Sequence, residues 1–478
     1  MPTFFDQLRQ HAIYRPEHEA IVTDLYSLNY AEVLCRVETG HNYLRNSGIG
    51  PDARVGLTIA DEVEHLLASL ALLATGSGQI ILATHDSLAL RSCLAEKLQI
   101  THVLSTDEKY RVSGAAFVSW SEQESTDSSL SVIKPSMSSA TLYLRTSGTT
   151  GDSNLVPFSE EQIAMQSEQH PEYANEIVLR LASIEHNNSK RHRLYAVWLG
   201  GTNVFHPEGN FDVVGFALRR SVTCIDITRM HASDLAASEN AYKLSAVKIR
   251  TAGSGVPLDV RQRILDKITK NLYVRYGATE CGSIASAMPG EHDAEETSGR
   301  PFDEINLQIV DPDDSVLPTG HTGEIRVQTP GMATGYYDSP DDDAKRFRKG
   351  WFYPGDLGCL RSDGQLIVKG RKDDMIILNG INIFPAEIEK VLESHPMIKS
   401  AAALALQSKV HGQIPVAAVE LLPGKTVSVS ELNAFARQHL SLRAPRRILV
   451  MSRLPRNSQG KIMKREIRTS FGQRTSIS

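Results

Sequence analysis

Residues 55–83 read VGLTIADEVEHLLASLALLATGSGQIILA. Residues 55–60 have the length and composition of a strand. Residues 63–73 form an apolar run long enough for a buried helix. After the turn residues Thr75-Gly-Ser-Gly, residues 79–83 are again strand-like. Strand, buried helix and strand in succession are the unit of a mostly parallel α/β sheet. The break at 75–79 also excludes a membrane span, which needs about 20 continuous apolar residues.

The neighbouring sequence repeats this alternation. Upstream, residues 4–14 have helical spacing, 20–23 read as a short strand and 29–48 as an amphipathic helix. Downstream, 96–104 read as a helix entering a strand. A series of this kind predicts a mostly parallel sheet. The pattern then changes. Residues 305–310, 323–328 and 365–368 are short alternating strands separated by turns such as Asp311-Pro-Asp-Asp and Ser362-Asp-Gly, which predicts a small antiparallel barrel or sheet. From Met375 a compact α+β unit begins. It has a helix at 385–392 opened by Pro385, strands at 401–406 and 416–421, and a helix at 430–440. The expected organisation is a large α/β domain over 1–370, a hinge at 371–374 and a small C-terminal domain over 375–478. Residues 125–139 read as a Ser-rich loop.

Composition narrows the class. The 478 residues are 41% apolar and 22% charged, ordinary for a globular protein, and the net charge of -5 gives no reason to expect nucleic acid or an anionic membrane as partner. Basic stretches such as Arg443-Ala-Pro-Arg-Arg447 read as solvated faces. Cys35, Cys93, Cys224, Cys281 and Cys359 form no C-x-x-C pair, so no zinc site or disulfide framework is indicated, and scattered thiols suit a reducing cytosol. The N-terminus lacks the basic and apolar regions of a signal peptide, so a cytoplasmic protein is expected.

The strongest local signal for chemistry is Leu144-Arg-Thr-Ser-Gly-Thr-Thr-Gly151. An apolar strand runs into a loop with two glycines and several hydroxyls. Glycines let backbone approach an anion closely, and N–H groups and hydroxyls can wrap phosphate oxygens. The same composition also makes ordinary surface turns. Two other glycine motifs carry less. Pro423-Gly-Lys-Thr426 has Val419 where a P-loop needs glycine, and Gly253-Ser-Gly255 lacks the third glycine of a dinucleotide fingerprint.

Five segments, in order, resemble the adenylate-forming superfamily of acyl-CoA synthetases, stand-alone adenylation domains and firefly luciferase. They are Thr146-Ser-Gly-Thr-Thr-Gly151, Tyr276-Gly-Ala-Thr-Glu280, Gly350-Trp-Phe-Tyr-Pro-Gly-Asp356, Lys369-Gly-Arg-Lys-Asp-Asp374 running into Asn379-Gly-Ile-Asn-Ile-Phe-Pro-Ala-Glu-Ile388, and Leu454-Pro-Arg-Asn-Ser-Gln-Gly-Lys461. The resemblance implies an enzyme that activates a carboxylic acid with ATP and Mg²⁺ and transfers the acyl group to a thiol. Thr146, Ser147, Gly148, Thr149, Thr150 and Gly151 would hold the leaving pyrophosphate. Tyr276 and Gly277 would line the adenine and acyl pockets. Thr279 would touch the α-phosphate and Glu280 would hold Mg²⁺, a hard cation suited to carboxylate oxygen. Asp356 would accept both ribose hydroxyls, with Arg371 beside it. Ser254 and Gly255 would give backbone contacts to adenine and acyl group. Lys461 would stabilise the charge that builds when carboxylate meets α-phosphate, a role typically worth about 3–4 kcal/mol. Asp373 matches a hinge that lets the small domain rotate, and Gly380 a loop that makes room for the thiol arm.

The match has gaps. Ser153, Asn154 and Leu155 stand where the family has proline, lysine and glycine, so one positive phosphate contact is missing. His186 matches a family histidine within an unusual polar segment, 181–192, and could equally be structural. Pro354 replaces a common threonine. Residues 158–274, which would supply the acid pocket, run short, so the acid is unspecified. The expected acceptor is coenzyme A; a carrier-protein phosphopantetheine presents the same thiol. A non-catalytic nucleotide-binding paralogue is the alternative from another class, motivated by Asn154. Oligomeric state is left open.

Overall fold

The computed structural model describes residues 1–121, 140–146, 154–252, 256–292, 295–378, 381–408, 412–457, 460 and 462–473. The opening strand–helix–strand reading holds. Strands Arg54–Thr58 and Gly78–Ile81 pair in parallel, joined by the helix Glu62–Thr75. Asp61 caps the helix by accepting the Glu64 N–H, and Gly76 ends it in the left-handed region at φ 78°. Leu66, Leu67, Leu70, Leu72 and Leu73 of this helix are all buried; each contributes roughly 1.5–3 kcal/mol by leaving water. The sheet continues through His102–Ser105, Ala116–Ser119 and Thr141–Arg145, all parallel, and closes on the antiparallel Leu155–Ser159.

A second, nine-stranded sheet has a parallel centre. Its run Glu19–Val22, Thr202–Val204, Ile177–Arg180, Cys224–Ile227, Lys248–Thr251 and Leu272–Ala278 is parallel throughout, and Gly282–Ala287 turns back antiparallel on Leu272–Ala278. The third sheet is the expected antiparallel one, six strands between Asn306–Val310 and Leu366–Arg371. Its core residues Ile309, Ile325, Val327, Phe352 and Leu366 pack against Cys281, Ile284 and Ala285 of the nine-stranded sheet. That contact carries the 350s segment to the end of Leu272–Ala278.

After Arg371 a five-stranded sheet contains Ile398–Ser408 and Gly412–Leu421 as a long hairpin. Helices Pro385–Glu393 and Val429–Leu440 share one buried cluster with it, while Ile467 and Phe471 of Lys464–Gln473 belong to another. Ion pairs Arg229–Glu393 (2.6 Å) and Lys390–Glu296 (3.3 Å) join this unit to the rest. All five cysteines are unpaired, as the sequence indicated. Among the described residues no helix is long and apolar enough to cross a membrane. The Ser-rich segment 125–139 lies outside the described residues.

One helix departs from sequence logic. Asn187–Leu199 begins Asn-Asn-Ser-Lys-Arg-His-Arg, yet Ser189, Lys190, Arg191, His192 and Arg193 are all buried. Tertiary partners rather than solvent satisfy much of its polar face. Lys190 donates to Gln79 at 2.7 Å, and Arg193 to Glu62 at 2.8 Å.

Candidate active site

The strand Leu272–Ala278 and its return strand are held so close at Gly277 that a Cβ there would lie 2.2 Å from the carbonyl oxygen of Gly282. The register of the pair shifts between Tyr276 and Gly277. Pairing resumes at Gly277 and Ala278, and Thr279 and Glu280 form the turn that joins the two strands. The hydroxyl of Tyr276, just before it, donates to Asp356 Oδ2 at 2.6 Å. Arg371 sits directly opposite Asp356 in the third sheet, and its Nη1 lies 3.4 Å from Oδ1 while donating to Pro354 O at 2.6 Å. Three residues far apart in sequence thus meet at one carboxylate. Burial pushes the Asp356 carboxyl above its ordinary range, opposed by Arg371 and by the Tyr276 hydrogen bond. Gly355, before it, has φ 80°, and the Arg346 guanidinium occupies the space a side chain would need. The same guanidinium donates to Asp373 at 2.8 Å.

Glu280 is 8% exposed. Its Oε1 accepts from the Tyr336 hydroxyl at 2.7 Å, and its backbone carbonyl accepts from Ala333 N at 2.8 Å. Burial, with Glu280 beside it, holds the Tyr336 phenol far above its usual pKa. The Thr279 carbonyl accepts from Arg191 Nη1 at 2.7 Å. Among the described residues no group of three acidic, His or Cys side chains could hold a metal. A single carboxylate with one oxygen left to offer fits an ion that arrives with phosphate oxygens and water as its other ligands, the usual habit of Mg²⁺.

Thr146 and Asn154 close the neck of the phosphate-loop motif. Thr146 N donates to Asn154 O at 2.8 Å and Asn154 N to Thr146 Oγ1 at 3.1 Å. The Asn154 amide donates to Asp342 at 2.8 Å, which keeps that carboxyl below its ordinary range. His186 stands at the start of Asn187–Leu199 without making a side-chain cap. Its ring is 6.0 Å from that of His85, and burial lowers its pKa. Asn187 donates to the carbonyl of Arg145 at 2.6 Å, which brings this helix end to the strand that leads into the loop.

Thus Tyr276, Gly277, Thr279, Glu280, Asp356 and Arg371 come together, with Thr146 and His186 on the first sheet's side. Ser147, Gly148, Thr149, Thr150, Gly151, Ser254, Gly255, Gly380 and Lys461 lie outside the described residues. Sequence reading missed Tyr336, Arg191 and Arg346. Their partners are 56, 88 and 27 residues away, and no local spacing announces such contacts.

The family model described as AMP-binding enzyme matches residues 8–337, and that of the AMP-binding enzyme C-terminal domain matches 387–461. A 2-succinylbenzoate–CoA ligase of Geobacillus kaustophilus is 36% identical over 200 residues, 41% of each chain. The ligase of that name from Bacillus cereus is 26% identical over 498 residues, 98% of both chains. Among solved structures, ATP-bound MatB from Rhodopseudomonas palustris superposes with TM-score 0.89 at 22% identity, over 98% of both chains. The o-succinylbenzoate CoA synthetase of Bacillus subtilis, in complex with ATP and magnesium, gives 0.84 at 24% identity, over 96% of this chain and 98% of that one.

Proposed function

The chain belongs to the AMP-binding enzyme family, and on that premise we propose that it activates a carboxylic acid with ATP and passes the acyl group to the thiol of coenzyme A. One observation carries the assignment of the site: Tyr276 and Arg371 aim donors at the single buried carboxylate of Asp356, beside the turn that presents Thr279 and Glu280. An ionised carboxylate has acceptors only, so Asp356 takes both hydroxyls of a ribose. Tyr276 and Arg371 fix where its lone pairs point. Glu280, oriented by Tyr336, would hold the magnesium that travels with ATP as part of the substrate.

In the first step a carboxylate oxygen of the acid attacks the α-phosphorus, a P–O bond forms, and the bond to the β-phosphate oxygen breaks. Pyrophosphate leaves and acyl-AMP remains. Thr279 hydrogen-bonds the α-phosphate, and Lys461 supplies the positive charge the crowded anions need. Residues 146–151 hold the departing pyrophosphate. In the second step the thiol sulfur attacks the acyl carbon, AMP leaves on its phosphate oxygen, and the thiol proton goes to solvent. The small domain, 375–478, turns about Asp373 between the steps, and Gly380 admits the thiol arm. The Arg346–Asp373 contact is then a latch for one of the two orientations.

Pyrophosphate release measured over a panel of carboxylic acids, with and without coenzyme A, tests this. Acid-dependent release, with thioester appearing only when coenzyme A is present, is the expected result. Silence with every acid, together with no ATP binding, would refute it.

A further inference from the structure

The contacts that hold the chain around Lys461 run back to the large domain. Arg456 and Ile462 form an antiparallel bridge, Met463 N donates to Pro455 O at 2.8 Å, and Gly460 N donates to Asn457 O at 2.9 Å. Gly460 and Ile462, which flank Lys461 in sequence, are thus both tied to 455–457. The Arg456 side chain adds two bonds. Its Nη1 donates to Gly460 O at 2.9 Å and its Nη2 to Ser400 Oγ at 2.9 Å. A guanidinium is a rigid plane, so the pair of bonds fixes the Gly460 carbonyl relative to the strand Ile398–Ser408.

From Ser400 the link continues to the domain boundary. The Ser400 hydroxyl is 3.5 Å from Glu393 Oε1, and the next residue, Ala401, donates its N–H to that oxygen at 3.1 Å. The other carboxylate oxygen of Glu393 takes the ion pair from Arg229 of the large domain. Arg229 opens the helix Arg229–Ala237, directly after the strand Cys224–Ile227. Its neighbour Met230 lies against the Gly460 turn: a Cβ on Gly460 would be 3.4 Å from the Met230 sulfur. One helix end therefore touches the small domain twice, at Glu393 and at the residue before Lys461.

The place of that helix end matters. Ligands of open α/β sheets bind beyond the carboxyl ends of the parallel strands, and Arg229 stands just past such an end. Cys224–Ile227 is two strands from Leu272–Ala278, about 10 Å at the usual strand spacing. The Gly460 turn is docked on the side of the sheet that presents Tyr276, Thr279 and Glu280.

We propose that Arg456 is a positioning residue for acyl-AMP formation, and that Arg229, through Glu393 and Ser400, couples the placing of the Gly460 turn to docking of the small domain. The inference rests on the activity proposed above and adds residues needed for its first step alone. Arg456 acts through the Gly460 carbonyl and touches no substrate. When the small domain turns for the thiol step, Arg229 and Met230 stay with the large domain while Glu393 and Gly460 move away, so the link serves one orientation.

The test separates the two half-reactions of the full chain. It uses the acid that gives most pyrophosphate release in a panel of straight-chain and aryl carboxylates, and the acyl-AMP of that acid with coenzyme A. In R456M the kcat of pyrophosphate release should fall roughly 10- to 100-fold, the effect of losing a hydrogen bond from a charged group. ATP affinity, and thioester formation from supplied acyl-AMP, should be little changed. R456K offers one nitrogen for two acceptors and should be intermediate. R229M should lose about threefold to fivefold, since Arg229 is part-exposed, and R229M/R456M should lose no more than R456M alone. Where R456M does not fold, S400A cuts the same link and should show the same split in smaller measure. Equal loss in both half-reactions would make Arg456 a structural residue and overturn the proposal, leaving the activity standing. Unchanged pyrophosphate release in the folded Arg456 or Ser400 variants would do the same, and losses in R229M and R456M that simply multiply would overturn the coupling. Silence of the wild type with every acid would overturn both the activity and the link.

Discussion

Replacing Asp356 with asparagine separates binding from folding. Asp356 offers one oxygen to Tyr276 and the other to Arg371. An amide has a single oxygen, and the Tyr276 hydroxyl requires an acceptor, so the new NH2 must turn towards Arg371, donor against donor. One ribose hydroxyl then loses its acceptor and the other loses its charge assistance. Hydrogen bonds to charged groups are worth about 1.5–3 kcal/mol and neutral ones about 1, so the loss is about 2–4 kcal/mol. That corresponds to ATP binding weakened roughly 30- to 1,000-fold. Stability follows a separate balance. Burial raises the Asp356 pKa in the folded state, so the folded protein holds this proton more firmly than the unfolded chain does. The contribution of Asp356 to stability is therefore greatest at low pH and declines as pH rises from the unfolded value through the raised folded one. Near pH 7.5 the asparagine removes an ionised group that burial disfavours but sets its amide against Arg371, so the two effects offset and Tm should change little. Titration calorimetry with ATP, which needs no knowledge of the acid, and thermal melts read the two effects. Unchanged ATP affinity would refute the ribose role, and a large drop in Tm would mean the carboxylate is a structural group.

Three further outcomes are expected. Lys461→Ala should abolish acyl-AMP formation yet leave thioester formation from supplied acyl-AMP largely intact; equal loss of both half-reactions would contradict the assigned role. Tyr336→Phe removes a charge-assisted donor to Glu280 worth about 1.5–3 kcal/mol, so the magnesium concentration for half-maximal rate should rise roughly 10- to 100-fold, and an unaltered magnesium profile would detach Tyr336 from the site. Burial brings the Lys190 pKa down to about 7. The folded state thus releases this proton more readily than the unfolded chain, a cost present in full below about pH 7 and lost as pH climbs towards the unfolded value near 10.4. Lys190→Met should therefore raise Tm at neutral pH and flatten its dependence between about pH 7 and 10, since Ser69 still serves Gln79; a lower Tm with the slope intact would show that the lysine is a net stabiliser.

Much of this protein is legible from local pattern. The helix read at 63–73 from its apolar run is Glu62–Thr75 in the structure, with Asp61 and Gly76 as its caps, because an apolar run and its stops are set by neighbours within a few residues. The antiparallel strands 306–310 and 323–328 announce themselves by alternation. Motifs marked Tyr276, Thr279, Glu280, Asp356 and Arg371 individually, since each type suits one contact of a nucleotide. The polar helix Asn187–Leu199 shows the limit. Its charges imply a solvated segment, and only the facing Gln79, Glu62, Gln166 and Thr279 carbonyl make its burial affordable.

What the amino-acid order determined alone was the family's kind of fold and the inventory of chemical groups, because propensity, periodicity and turn chemistry act over short range. Which groups meet was decided by tertiary structure. Packing of the antiparallel sheet on Cys281, Ile284 and Ala285 brings Asp356 beneath Tyr276 across 80 residues. Parallel pairing lines Arg180 up with Arg250 on either side of Asp226. Contacts made across such separations depend on how whole sheets register and stack, and no short window of sequence carries that information.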